Sequence, residues 1–355
     1  MIRKLLLSFL FSLLILSAAG CTPFSKDQPV TETEHPSTIL ASDLQIPWSI
    51  AKAGSTFYIT ERPGNIVKVQ EGRQERKKVI LTKAVYHEGE GGLLGLALSP
   101  DFHQTANAYV YHTYLEDGEV WNRLVLVTET DRGWVEQRAL LEKIPGSRFH
   151  NGGRIKIGPD QHLYVTTGDA GEEEKAQDLQ TWHGKILRMT LDGKVPPDNP
   201  FPHSYVYSYG HRNPQGLSWS TDGVLYSSEH GPSSIPGGHD ELNRIEKGKN
   251  YGWPEIIGDE QKANMLVPLY HSGDDTWAPS GISVYKDAVY AAGLRGQQIL
   301  KFSLSTKKAE TIFEGEGRLR DIYIEDGVAY VLTNNTDGRG SPRDKDDRLL
   351  RIQLK

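Results

Sequence analysis

The residues best suited to chemistry stand in a few short, polar, glycine-bearing segments. His150 lies in RFHNGGR, where no apolar periodicity surrounds it and the glycines let other groups approach closely. Asp169 ends the segment TTGD, 19 residues further on. A carboxylate beside an imidazole fixes its tautomer, so Asp169 is expected to orient His150 for proton transfer. Arg212, Arg295, Arg318 and Arg320 bring guanidinium groups, which bind carboxylates in a bidentate way. Together they suit a multiply anionic ligand. Gly231-Pro232 sits in SSEHGPSSIPGGHDELN. Backbone carbonyls of such a loop can ligate calcium, with Asp240 or Glu241 adding carboxylate oxygens.

The elements that must position these groups recur along the chain. Each unit has an alternating apolar strand, a turn often holding Asp or Gly, and a strand with a Tyr: Tyr58, Tyr109, Tyr164, Tyr226, Tyr290 and Tyr330. A third strand follows each, starting at Ile66, Leu124, Ile186, Leu242, Ile299 and Leu349. Six units with a period of about 40–60 residues predict an all-β fold, a six-bladed β-propeller with antiparallel blades over residues 41–355. Two separate β-sandwiches are the other architecture such strands permit.

In an antiparallel meander, the loop entering the first strand and the loop leaving the second lie at the same end. The first set holds Glu90-Gly91-Gly92, His150 to Arg154, His211-Arg212-Asn213, Trp277-Ala278-Pro279 and Arg318-Leu319-Arg320. The second holds Glu61-Arg62, Gly168-Asp169, Glu229 to Pro232, Leu294-Arg295 and Asn334-Asn335. Both sets are expected around one mouth of the axis. Like charges gathered there cost energy unless something anionic fills the site.

Composition narrows the classes. The 355 residues are 37% apolar and 24% charged, which excludes wholesale disorder. Glycine and proline, 36 and 19 residues, favour short strands and many turns. Lysine and arginine number 40 against 46 acidic residues, so the basic excess of a nucleic-acid-binding protein is missing. Cys21 is the sole cysteine, which rules out an intramolecular disulfide and a cysteine zinc cluster.

The N-terminus reads as a processing segment. Arg3 and Lys4 precede an apolar run from Leu5 to Ala19, too short for a comfortable membrane span of about 20 residues. Ala18-Ala19-Gly20-Cys21 resembles the lipobox of bacterial lipoproteins. Residues 1–21 are therefore expected to be a lipoprotein signal peptide, with Cys21 carrying the lipid. The protein would be exported and lipid-anchored to the outer face of the bacterial cell membrane. A plain secretory signal with an incidental cysteine is the alternative. Residues 22–40 are polar, hold three prolines and show no periodicity, as a flexible tether would.

The segments GEGGLLGLALSPDF (89–102), HNGGRIKIGPDQHLYVTTGD (150–169), GHRNPQGL (210–217), SSEHGP (227–232), DELN (240–243), GLRG (293–296) and RLRD (318–321) resemble the glucose/sorbosone dehydrogenase family, closest to its aldose sugar dehydrogenase branch. The resemblance implies a six-bladed propeller that uses pyrroloquinoline quinone (PQQ) and calcium to oxidise aldose sugars at C1 to the lactone, passing electrons to an external acceptor. It implies that His150 is the general base, Asp169 its orienting carboxylate, and Arg212 a contact to substrate and quinone. Asn213, Arg295, Arg318 and Arg320 match cofactor contacts, and Gly231 and Pro232 match carbonyl ligands of the calcium. Trp277 matches an aromatic packed near the cofactor ring. Glu90 stands among the cofactor-facing residues where the family typically has Gln, and the SSIPGGH stretch lengthens the calcium loop.

Two competing functions follow from the same fold. A metal-dependent sugar lactonase needs three or four carboxylate or Asn ligands on the axis, where this chain carries arginines. A non-enzymatic carbohydrate- or protein-binding propeller has no need of His150 and Arg212, and both are present.

Overall fold

The computed structural model describes residues 37–232 and 237–354. The signal segment, Cys21 and the tether as far as residue 36 lie outside the described residues. Nearly all regular structure is strand, and four antiparallel sheets have four strands each. A fifth sheet has eight, because two four-stranded meanders meet edge to edge where Arg73–Ile80 pairs in parallel with Gly133–Pro145.

The strands that begin the meanders are Pro47–Ala53, Leu93–Leu98, Ile155–Ile157, Pro214–Trp219, Pro279–Tyr285 and Leu319–Glu325. Each touches the next in this order, and the last touches the first. The sheets therefore close around an axis, as in a propeller. The tyrosine-bearing strands are the second in each meander and the expected third strands lie beside them.

Ring closure uses both ends of the described chain. Ser37–Ala41 pairs antiparallel with Leu349–Gln353. Residues 37–40, expected in the tether, are thus part of the propeller. Their backbone groups complete a sheet edge that would otherwise be left unpaired.

Apolar clusters sit between neighbouring sheets. Ile50, Ile59 and Val67 pack on Leu332 and Leu349, and Tyr290 and Ile299 pack on Ile322, Val331 and Leu350. Tyr58 and Ile66 pack on Leu96, Val110 and Val125. A four-stranded sheet buries both faces only by such stacking.

One irregularity recurs at the axis. The pairing register of the first strand skips Trp48, Gln215 and Arg320 as single extra residues, and skips Ser280 within a wider shift. A bulge bends the strand and re-aims the extra side chain. Here these side chains meet: Arg320 Nη1 donates to Gln215 Oε1 at 2.9 Å and to Ser280 Oγ at 3.3 Å. Arg154 lies 4.2 Å over the Trp48 ring and its Nη1 donates to Asp321 Oδ2 at 2.9 Å. They form a polar floor across the axis.

Candidate active site

Above that floor lie two adjoining cavities. The inner one, about 460 Å³, is lined by residues that include His150, Arg212, Gly231, Pro232, Arg295 and Arg318. The outer one, about 620 Å³, shares Glu90, His150, Arg212 and Pro232 and adds Phe149, Trp253, Pro254 and Ile257. The two loop sets thus converge on one mouth, as the meander geometry requires.

His150 has φ +56°, a left-handed backbone that is strained for a residue with a side chain. Two contacts hold it there. Its N–H donates to Glu90 Oε2 at 3.1 Å, and its Nδ1 meets Asp169 Oδ1 at 2.8 Å. Close packing of the two loops depends on Gly168, where a Cβ would come within 1.8 Å of the His150 carbonyl oxygen.

Asp169 is fully buried. It also accepts from the Gly171 N–H at 2.9 Å and from Trp253 Nε1 at 2.8 Å. Burial opposes its ionisation, but the His150 hydrogen bond and charge, the Gly171 N–H and the Arg212 charge outweigh it. They hold the carboxyl below its ordinary range. An ionised Asp169 calls for a proton on Nδ1, which leaves the Nε2 lone pair of His150 free to accept one.

The cations are crowded. Burial lowers the pKa of Arg212 and of Arg318, and it takes Arg320 down to about 9, with Arg318, Arg62 and Arg339 pushing the same way. Among the described residues, Arg318 Nε, Arg320 Nε and Asn213 Nδ2 are buried without a hydrogen-bond partner. An anionic ligand with several acceptor oxygens would relieve both conditions.

Some expected residues stand elsewhere. Trp277 lies in the apolar cluster with Tyr226, Leu242 and Ile282 and lines neither cavity. Its indole follows its apolar bulk into the gap between sheets. Asn213 and Arg320 are not among the residues lining the inner cavity: Asn213 Oδ1 accepts from the Gly152 N–H at 3.0 Å, and Arg320 belongs to the floor, beside a small cavity that Glu90, Leu294 and Arg339 also line.

In the loop expected to ligate calcium, Gly231 and Pro232 line the inner cavity. A Cβ at Gly231 would fall 2.0 Å from the Gly238 carbonyl oxygen, so the loop backbones approach closely there. Asp240 lines it too, but its oxygens accept from Gly231 N, Thr276 Oγ1, Trp277 N and Ala278 N. Its carboxylate ties two loops together. Glu241 is hydrogen-bonded to Asn243 at 2.9 Å, and burial together with Glu229 raises its pKa. Among the described residues no group of three or more His, Cys, Asp or Glu side chains is arranged to hold a metal ion.

The family model for glucose/sorbosone dehydrogenases matches residues 44–351. The chain belongs to this family. It is 32% identical over 309 residues to quinoprotein glucose dehydrogenase B of Acinetobacter calcoaceticus, covering 76% of this chain and 63% of that protein. It is 29% identical to the aldose sugar dehydrogenase of Escherichia coli, covering 86% of this chain and 92% of the relative. The solved PQQ-bound aldose sugar dehydrogenase of Streptomyces coelicolor superposes with a TM-score of 0.83 at 36% identity, over 90% of this chain and 98% of that one.

Within this dehydrogenase-family site, several lining residues escaped the sequence reading. Arg339 lines the inner cavity, and Phe149, Trp253 and Ile257 wall the outer one. Phe149 adjoins His150 and was readable as an apolar residue in a polar loop. Trp253 and Ile257 sit in a long connection of one unit, and Arg339 in a charged loop before the final strand. None of these belongs to the repeat, so nothing in the spacing marked them.

Proposed function

We propose that this chain oxidises aldose sugars at C1 to the lactone, using PQQ and a calcium ion. Six blades carry the site, with the eight-stranded sheet counted as two. The observation that carries this reading is the His150–Asp169 pair at 2.8 Å, on the wall shared by the arginine-lined inner cavity and the open outer one. Family membership and the quinoprotein relatives support the cofactor and the substrate class.

The inner cavity fits PQQ, a tricarboxylate, through Arg295, Arg318 and the unpartnered donors beneath them. Gly231 and Pro232 fit calcium through their carbonyl oxygens. When bound, PQQ supplies the two-electron acceptor and calcium the cation that polarises it. The chain does the rest. His150 Nε2 takes the proton of the C1 hydroxyl while Asp169 steadies the imidazolium that forms. Arg212, stacked 5.3 Å from the Trp253 ring, lies beside both cavities and binds the sugar oxygens. Phe149, Trp253, Pro254 and Ile257 give the sugar an apolar wall that thins the surrounding water.

An external electron acceptor completes the turnover. Export and a lipid on Cys21 place the enzyme on the outer face of the cell membrane. Replacing Cys21 by Ser should release it from membranes.

The decisive test adds PQQ and calcium to the purified protein and follows sugar-dependent dye reduction. Reduction that requires sugar, PQQ and calcium together supports the reading. PQQ binding without sugar oxidation points to the binding-protein alternative, and lactone hydrolysis without PQQ to the lactonase.

A further inference from the structure

Glu90 and Arg339 are 249 residues apart in sequence, and Glu90 Oε1 accepts from Arg339 Nη1 at 3.0 Å across the inner cavity. Glu90 Oε2 accepts from the His150 N–H at 3.1 Å. Behind Arg339, Asp337 Oδ2 lies 3.7 Å from its Nε and accepts from Arg318 Nη2 at 3.0 Å. One chain of contacts therefore runs from Asp169 through His150, Glu90, Arg339 and Asp337 to Arg318.

This arrangement answers a difficulty in the site. A carboxylate at position 90 stands in a cavity that should receive an anion, and it cradles the strained backbone of the base. Burial opposes its ionisation, yet His230 and Arg339 hold its pKa at about 2, so it is charged. Its charge must be balanced from within the protein. We propose that Arg339 is a positioning residue for His150: its ion pair with Glu90 neutralises the carboxylate that holds the His150 backbone and keeps the inner cavity cationic towards its ligand.

The other charges around the imidazole do not replace it. Asp169 lies on Nδ1, Arg212 and Glu173 flank the outer cavity, and His230, Asp240, Arg295 and Arg318 line the inner one. Arg318 is engaged with Asp337 and the Leu294 carbonyl. Arg339 forms an ion pair with Glu90 at 3.0 Å.

The inference rests on the proposed function only for the identity of the anion, and its test separates the two. In the cofactor-free protein, the His150 imidazole is titrated by NMR, its signals identified by their loss in His150→Gln. Arg339→Gln leaves Glu90 unbalanced and should raise the His150 pKa by about half a unit, because a net negative charge favours imidazolium. Glu90→Gln should lower it by a similar amount. The double variant and Arg339→Lys should return it towards wild type. A His150 pKa unmoved in Arg339→Gln overturns the proposal, whatever PQQ does.

PQQ titration in calcium supplies the second readout. Arg339→Gln should weaken binding about tenfold, less so at high salt, and the double variant should regain the loss. If the double variant stays as weak as Arg339→Gln, Arg339 contacts the ligand directly and the positioning role is wrong. Wild-type protein that binds no PQQ overturns the proposed cofactor, and the histidine titration still decides the role of Arg339.

Discussion

The indole Nε1–H of Trp253 donates to Asp169 Oδ2 at 2.8 Å, while Oδ1 of the same carboxylate holds His150. Residues from three separate loops thus share one buried charge, and the ring of Trp253 also carries Arg212 at 5.3 Å. Trp253→Phe keeps an aromatic ring but removes the donor together with the five-membered part of the indole. Hydrogen bonds to charged groups contribute about 1.5–3 kcal/mol, so kcat should fall roughly tenfold or more with little change in PQQ affinity. Steady-state kinetics with saturating PQQ and calcium check this.

Asp169→Asn should be more damaging than its small change in shape suggests. The amide can turn either its N–H or its oxygen towards Nδ1, and the tautomer with Nε2 unprotonated is no longer enforced. A loss of about 10³–10⁴ in kcat is expected, and His150→Ala should cost about 10²–10⁴. Both variants should bind PQQ nearly as well as wild type. Near-normal turnover in saturated His150→Ala would remove His150 from the mechanism.

Arg295 and Arg320 should separate cleanly. Arg295 is exposed and lines the inner cavity, so Arg295→Ala should weaken PQQ binding about tenfold and leave the melting temperature unchanged. Arg320 is buried in the floor and tied to Gln215 and Ser280. Arg320→Ala should lower the melting temperature markedly, since it leaves those partners unpaired. Thermal melts of cofactor-free protein distinguish the two.

Gly168→Ala should disrupt the site without touching a functional side chain. The new methyl would lie 1.8 Å from the His150 carbonyl oxygen, so one loop must move. A fall in kcat of about 100-fold is expected, following the rule that an ångström of misplacement is costly, with the sheets intact by circular dichroism.

Acid should unfold the mouth through its carboxylates. Glu90 has its pKa held at about 2, and Asp169 and Asp337 lie below their ordinary range, each despite burial, because of cationic partners. Their folded pKa values are depressed, so the stability they contribute is full above the unfolded values near 4 and is lost as pH falls through the folded ones. Stability should drop between about pH 4.5 and 2, and Glu90→Gln should flatten part of that slope. Denaturant unfolding across this range measures it.

The propeller was legible because its signal is local and repeated. Six tyrosine strands and six following strands each alternate in polarity, and the loops between them must fall at a common end. That same logic brings His150, Asp169, Arg212, Gly231, Pro232, Arg295 and Arg318 to one mouth from the sequence alone. The chemistry of His150 with Asp169 is likewise a matter of residue type at a meander end.

Tertiary structure alone decided the depth and pairing of these groups. The bulges that drop Arg320 and Gln215 into the floor arise from register between strands, which sequence periodicity does not encode. Trp277 was placed by its apolar bulk in the gap between two sheets, and Asp240 by the loop donors that occupy its oxygens. Ser37 to Leu40 read as tether because their pairing partner, Leu349–Gln353, lies at the other end of the chain. The Trp253–Asp169 and Glu90–Arg339 contacts join loops 84 and 249 residues apart. Contacts of that separation exist only once the ring has closed, so only the folded chain could show what holds Asp169 and what balances Glu90.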